Sequence, residues 1–139
     1  MKKILFSGIR FEGLFANTIF LISRVSIGLM MAFGHGIKKI PPSEKFILHL
    51  GSLGLPFPGI MGWCAGLSEF LFAIFISLGL MTRLSSAFVI ITMAVAAFVA
   101  HGSDPFAKKE MALLYLVGGL TYLALGAGRF SLDNLINKK

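Results

Sequence analysis

Arg24 and Glu69 each sit near the middle of a long apolar run, and His35 and His101 stand where two such runs end. A charged side chain at the centre of a membrane helix costs roughly 2.5 to 3.5 kcal/mol unless a partner or water receives it. Runs of opposite direction bring residues 24 and 69 to similar depth, so the sequence predicts that Arg24 and Glu69 meet inside the fold as a hydrogen-bonded ion pair. Such a pair either only fixes how two helices dock or forms the floor of a ligand or proton site, because a paired guanidinium keeps donors free for a ligand oxygen. A histidine titrates near physiological pH, which suits His35 to give or take a proton from a bound molecule.

Stepping at about 100° per residue, Arg24, Gly28, Met31, His35 and Lys38 share one stripe of a helix. Gly28 on that stripe admits a neighbouring backbone or a flat ligand. Tyr115, Gly119, Tyr122 and Gly126 form a second stripe, whose tyrosines either flank an aromatic ligand or mark an ordinary helix crossing. His49 falls on the same side of the fold as His35 and His101. No two histidines have the spacing that puts two ligands on one helix face, and no metal is assigned. The candidate ligand-binding residues are therefore Arg24, Gly28, His35, Lys38, Glu69, His101, Tyr115 and Tyr122, and no catalytic residue is assigned.

The elements that must hold these residues follow from composition. The chain has 139 residues, 56% hydrophobic and 14% charged, with a mean hydropathy of +0.85; a soluble domain carries nearer a quarter charged residues. Four apolar blocks, about 14–34, 59–80, 84–101 and 111–128, are each close to the roughly 20 residues that cross a bilayer core. Residues 1–139 leave no room for a second domain. The expected fold is all-α, a four-transmembrane-helix bundle in a single domain.

A net charge of +7 raises the question of nucleic acid, but the lysines stand in pairs at block ends: Lys2/Lys3, Lys38/Lys39, Lys108/Lys109 and Lys138/Lys139. Those are headgroup positions, and no nucleic-acid partner is expected. The segment MKKILFSGIRFEGLF has the basic flavour of a signal peptide without a small-x-small cleavage site before His35, so it is expected to stay as the first helix. Lysine and arginine counts favour cytoplasmic N- and C-termini. Cys64 is the single cysteine, which rules out an intrachain disulfide and favours a packing role.

The turn at Met81-Thr82-Arg83 makes the second and third spans antiparallel neighbours. In the first loop Pro41-Pro42 stop the helix, and Ser43 is placed to cap a short interfacial helix through SEKFILHL; a plain loop is the alternative. Gly62 and Gly66 read as a packing seam, and Trp63 as an interfacial anchor.

Taken together, RVSIGLMMAFGHGIKK, EFLFAIFISLGLMTR, the AHG exit of the third block and GAGRFSLD resemble, in that order, the DoxX-like family of small four-helix membrane proteins. The resemblance runs over roughly residues 14–135 and puts the family's polar positions on Arg24, His35, Lys38, Glu69, His101 and Arg129. It implies a multi-pass protein of the bacterial or archaeal inner (cytoplasmic) membrane, tied to quinone-linked redox chemistry and oxidative stress. On that footing the expected activity is binding of a quinone or small lipid by a subunit of a quinone-linked oxidoreductase, with Arg24 and His35 on the ligand oxygens. The sequence holds no cysteine pair, haem-type motif or dinucleotide fingerprint, so quinone is the one cofactor in view and electrons would come from a soluble or membrane redox partner. A small transport or lipid-handling protein and a non-catalytic assembly subunit, in a homo-oligomer or a larger complex, are the alternatives.

Overall fold

A computed structural model describes residues 8–137. The basic pairs Lys2/Lys3 and Lys138/Lys139 lie outside the described residues. Within them the chain is all-helical: α1 (Leu14–Gly34), α2 (Glu44–Ser52), α3 (Pro58–Leu78), α4 (Thr82–Ala100), α5 (Phe106–Leu125) and α6 (Leu132–Ile136). α1 tightens past Gly34 into a single 3₁₀ turn, Gly36–Lys39. α3 and α4 each contain one π-helical turn, Ser68–Phe72 and Ala96–Ala100.

Among the described residues three helices are long and apolar enough to cross a membrane: α1 with its 3₁₀ extension (Leu14–Lys39), α3 and α4. α5 has 20 residues, but Lys108, Lys109 and Glu110 fall within its first five. It starts five residues before the apolar block that marks it in the sequence, because the helix begins directly after Pro105, whose fixed φ and missing N–H suit a helix start. At its far end Gly126 takes φ +73°, a left-handed value that stops the helix three residues short of the expected end.

The expected short helix of the first loop is present as α2. Ser43 is its N-cap, its Oγ accepting from the Phe46 N–H at 3.2 Å. α4 packs most closely on α5, and α1 on the C-terminal half of α3. Met31, Ala32, Ala73, Ile76, Val89, Met93, Tyr115 and Tyr122 form the buried core between them. Many large apolar side chains on the outer faces, Phe15, Ile22, Ile60, Ile91, Phe98 and Val117 among them, are exposed. An apolar exterior around a core containing polar groups is what a bilayer solvent selects.

Candidate functional site

The predicted Arg24–Glu69 pair does not form. Arg24 is 1% exposed and spends its guanidinium on backbone: Nη1 donates to the carbonyls of Ile76 (2.6 Å) and Ser77 (3.0 Å), and Nη2 to that of Phe130 (2.8 Å). The reason is axial register. Arg24 lies level with the end of α3, and Ile76 is seven residues beyond Glu69, roughly 10 Å along the helix at 1.5 Å per residue. Arg24 therefore meets the carbonyl end of α3, where four C=O groups lack helical partners and the macrodipole favours a cation.

Asp133 completes this end of the molecule. Its carboxylate accepts from the N–H groups of Met81 (2.7 Å) and Thr82 (3.0 Å) at the start of α4, and its own N–H donates to the Gly79 carbonyl (2.8 Å). A buried Arg on a helix C-terminus and a buried Asp on the next helix's N-terminus thus clamp the α3–α4 turn. The GAGRFSLD segment carries Phe130 and Asp133 into that clamp; Arg129, placed by the same resemblance, is exposed with its guanidinium over the Phe130 ring.

Gly28 and Tyr122 also belong to packing rather than to a cavity. A Cβ on Gly28 would run into Ser77 and the Ala73 carbonyl of α3. Tyr122 packs its ring edge-on to Phe20 and shares a 3.0 Å hydrogen bond with Ser23.

At the opposite end, four of the predicted residues converge. His35, Glu69, His101 and Tyr115 line one cavity of about 150 Å³, together with Lys39, Lys108 and apolar side chains including Met31 and Met93. The partner of Glu69 is Lys39: its Nζ donates to both carboxylate oxygens, at 2.6 and 2.7 Å. Glu69 is 1% exposed and Lys39 31%, so the pair reaches from the buried interior to the rim.

Lys38, the expected member of the stripe, is instead exposed. The stripe assumes an unbroken α-helix, but the chain leaves that path at His35 and continues at three residues per turn, which puts Lys39 in line with Gly36, the residue packed against Glu69. Gly36 makes this possible: a Cβ there would collide with the backbone of Glu69 and Phe70. Gly66 is the counterpart on α3, where a Cβ would stand 2.7 Å from the Lys39 carbonyl oxygen. The expected Gly62/Gly66 seam exists, and what packs on it is the segment Lys39–Pro42.

Both π turns border this cavity. Glu69 lies within the first, and His101 caps the end of the second. A π turn widens the helix and offsets its side chains, and such turns concentrate at functional sites. His101 is held by Asp104, with Nδ1 2.8 Å from Oδ2; this hydrogen bond is the main cause that keeps the Asp104 carboxyl below the ordinary carboxylate range. Lys108 approaches the other Asp104 oxygen at 3.7 Å, and Lys109 fastens the turn by donating to the Gly102 carbonyl at 3.0 Å.

A second, larger cavity of about 340 Å³ opens between α2, α3 and α4. Its walls are largely apolar, from Phe46, Leu50 and Leu53 to Ile91 and Val95, with His49 and Cys64 among them. Cys64 is thus exposed toward this groove rather than packed in a core. The two cavities share Lys39, Glu69, Ala96 and His101. From His101 to Ile91 the groove follows ten residues of helix, about 15 Å of depth.

The DoxX family profile matches residues 19–102. The chain belongs to the DoxX family. No curated protein and no solved structure matches it. The match takes in Arg24, both members of the Lys39–Glu69 pair, both π turns and His101; Asp104, Lys108, Tyr115 and the Asp133 clamp lie beyond it. Membership and three helices long and apolar enough to cross a bilayer make this DoxX chain a membrane protein.

Proposed function

We propose that this DoxX protein is a four-span membrane subunit that binds a quinone or small lipid, with the ligand's polar head at Lys39, Glu69, His35 and His101 and its tail in the apolar groove. The observation that carries the reading is the pair of cavities joined at Lys39, Glu69, Ala96 and His101, one small and polar, the other larger and apolar. Together they reach the size range of ligand sites, roughly 300 to 1,000 Å³. The joint offers donors at Lys39 and acceptors at Glu69, which suits a head that carries carbonyl or hydroxyl oxygens.

In this reading α5 is the fourth span, its Lys108 and Lys109 at the headgroup level, and both termini face the cytoplasm. A quinone ligand makes the protein an accessory subunit of a quinone-linked oxidoreductase in the inner membrane, with electrons supplied by a partner protein. A transport path is less well supported, because the tightly packed core of Met31, Ala73, Ile76 and Val89 lies between the cavity and the Arg24 end.

Equilibrium binding to protein in lipid nanodiscs tests the proposal, with a short-tailed ubiquinone in one arm and a lysophospholipid in the other. One of the two is expected to saturate a single site, and Glu69→Gln, which removes half of the Lys39 pair, to weaken it about tenfold or more, in line with about 1.5 to 3 kcal/mol for a charged hydrogen bond. Binding of neither probe, or equal binding by the variant, would overturn the reading.

A further inference from the structure

Asp104 lies outside the family match and lines neither of the two cavities, yet it makes a specific contact with His101, which lines both. Its carboxylate fixes the Nδ1 side of His101 at 2.8 Å, and the backbone closes the same turn through the Asp104 N–H donating to the His101 carbonyl at 3.1 Å. A carboxylate on one ring nitrogen sets the tautomer and leaves Nε2 as the nitrogen that faces a ligand. Asp104 is itself 30% exposed, so the far side of the couple meets water.

The other ionisable groups around the joint are less suited to exchange a proton. Glu69 is buried with both oxygens held by Lys39. His35 lies edge-on to the Tyr115 ring, with centroids 5.6 Å apart. Lys108 leans on Asp104 from α5, and His49 faces the groove from α2. His101 alone lines both cavities and touches a water-exposed acid.

We propose that His101 is the acid–base residue for the ligand head and that Asp104 is its positioning residue, forming a proton-exchange couple between the bound head and the aqueous mouth. In one direction the His101 imidazolium gives its Nε2 proton to a head oxygen carrying negative charge and is left as the Nδ1–H tautomer that Asp104 holds; in the other, Nε2 of that tautomer takes the proton of a head hydroxyl. The ring then regains or releases the same Nε2 proton by exchange with water, which reaches the 42% exposed His101 side chain, while Asp104 keeps Nδ1 protonated and stabilises the imidazolium. No electron moves in this step. The inference rests on the ligand site proposed above.

A long-chain alkyl nitrophenol, whose absorbance reports its own ionisation, tests it with the full-length protein in nanodiscs. After a pH jump, the bound probe is expected to relax roughly 100-fold more slowly in His101→Gln, the low side of what a positioned acid–base group contributes. Asp104→Asn should slow it several-fold and displace the pH profile of the relaxation, and Asp104→Glu should restore both. Probe affinity should change less than about twofold in the two Asp104 variants, which leave every residue at the ligand head in place, and His101→Gln is read at saturating probe. Relaxation at the wild-type rate in both His101→Gln and Asp104→Asn, with the probe still bound, would overturn the proton couple and leave the binding site standing. Failure of the wild-type protein to bind the probe or either ligand would overturn both. A slow His101→Gln accompanied by a normal Asp104→Asn would overturn the role of Asp104.

Discussion

Arg24 and Glu69 are alike in the sequence, each a single charge in an apolar run, and the fold uses them for different ends. Arg24 satisfies three backbone carbonyls and lines neither of the two cavities, whereas Glu69 lines both and holds the Lys39 side chain at the rim. The difference predicts a separation of phenotypes. Arg24→Ala leaves the carbonyls of Ile76, Ser77 and Phe130 without donors, at about 1 to 3 kcal/mol each where burial excludes water. The expected outcome is a loss of about 3 kcal/mol or more in denaturant-induced unfolding in micelles, with ligand affinity of the folded fraction unchanged. Glu69→Gln is expected to do the reverse. If Arg24→Ala weakened binding in protein that is still fully folded, the assignment of Arg24 to the helix clamp would be wrong.

The helices were legible from their apolar length, and their ends were not. Three blocks and the capped α2 helix follow from hydropathy, Ser43 and the prolines. The sequence names His35, Glu69, His101 and Tyr115 as candidates, but it sets Glu69 against Arg24 rather than at the His35 end where the fold puts it. What it conceals is local changes of pitch: the 3₁₀ turn that substitutes Lys39 for Lys38 and the two π turns that widen α3 and α4. Hydrophobic periodicity assumes 3.6 residues per turn, so it assigns the wrong lysine wherever the pitch departs from that value. One signal was available. Gly36, directly after His35, and Gly66, three residues before Glu69, are where two backbones can approach, and that contact is what lets the 3₁₀ turn sit on the first π turn. Gly36→Val therefore should push the turn off α3 and open the Lys39–Glu69 pair. Crosslinking of a cysteine pair placed at positions 39 and 69 should be efficient in the Gly36 background and fall several-fold in the valine background; equal crosslinking would show that the pitch change does not depend on the glycine.

At the scale of the whole molecule, the two ends are built for different tasks. One end is closed by charges that cap helices, Arg24 on α3 and Asp133 on α4, with the C-terminal segment folded in to supply the Phe130 carbonyl. The other end is where the helices change pitch, two cavities meet and charged side chains reach the rim. The proposed ligand site lies at one end and the clamp at the other, and the proposed crossing of α5 decides the topology. Its three charged residues stand within its first five, so that in a crossing α5 their long side chains would reach the headgroups while the apolar remainder, residues 111–125, would stay in the hydrocarbon. Fifteen such residues rise about 22 Å, short of the full core thickness of about 30 Å, so the stems of Lys108 and Lys109 must bridge the rest. Single cysteines placed in a Cys64→Ser background report the outcome. A cysteine at Ser103 should react with an impermeant maleimide from the side opposite to one at Asn137 if α5 crosses. Labelling of both from the same side would show that α5 returns without crossing, and the protein would then hold three spans with its clamp and its ligand site joined by a helix that lies against the bundle from one face.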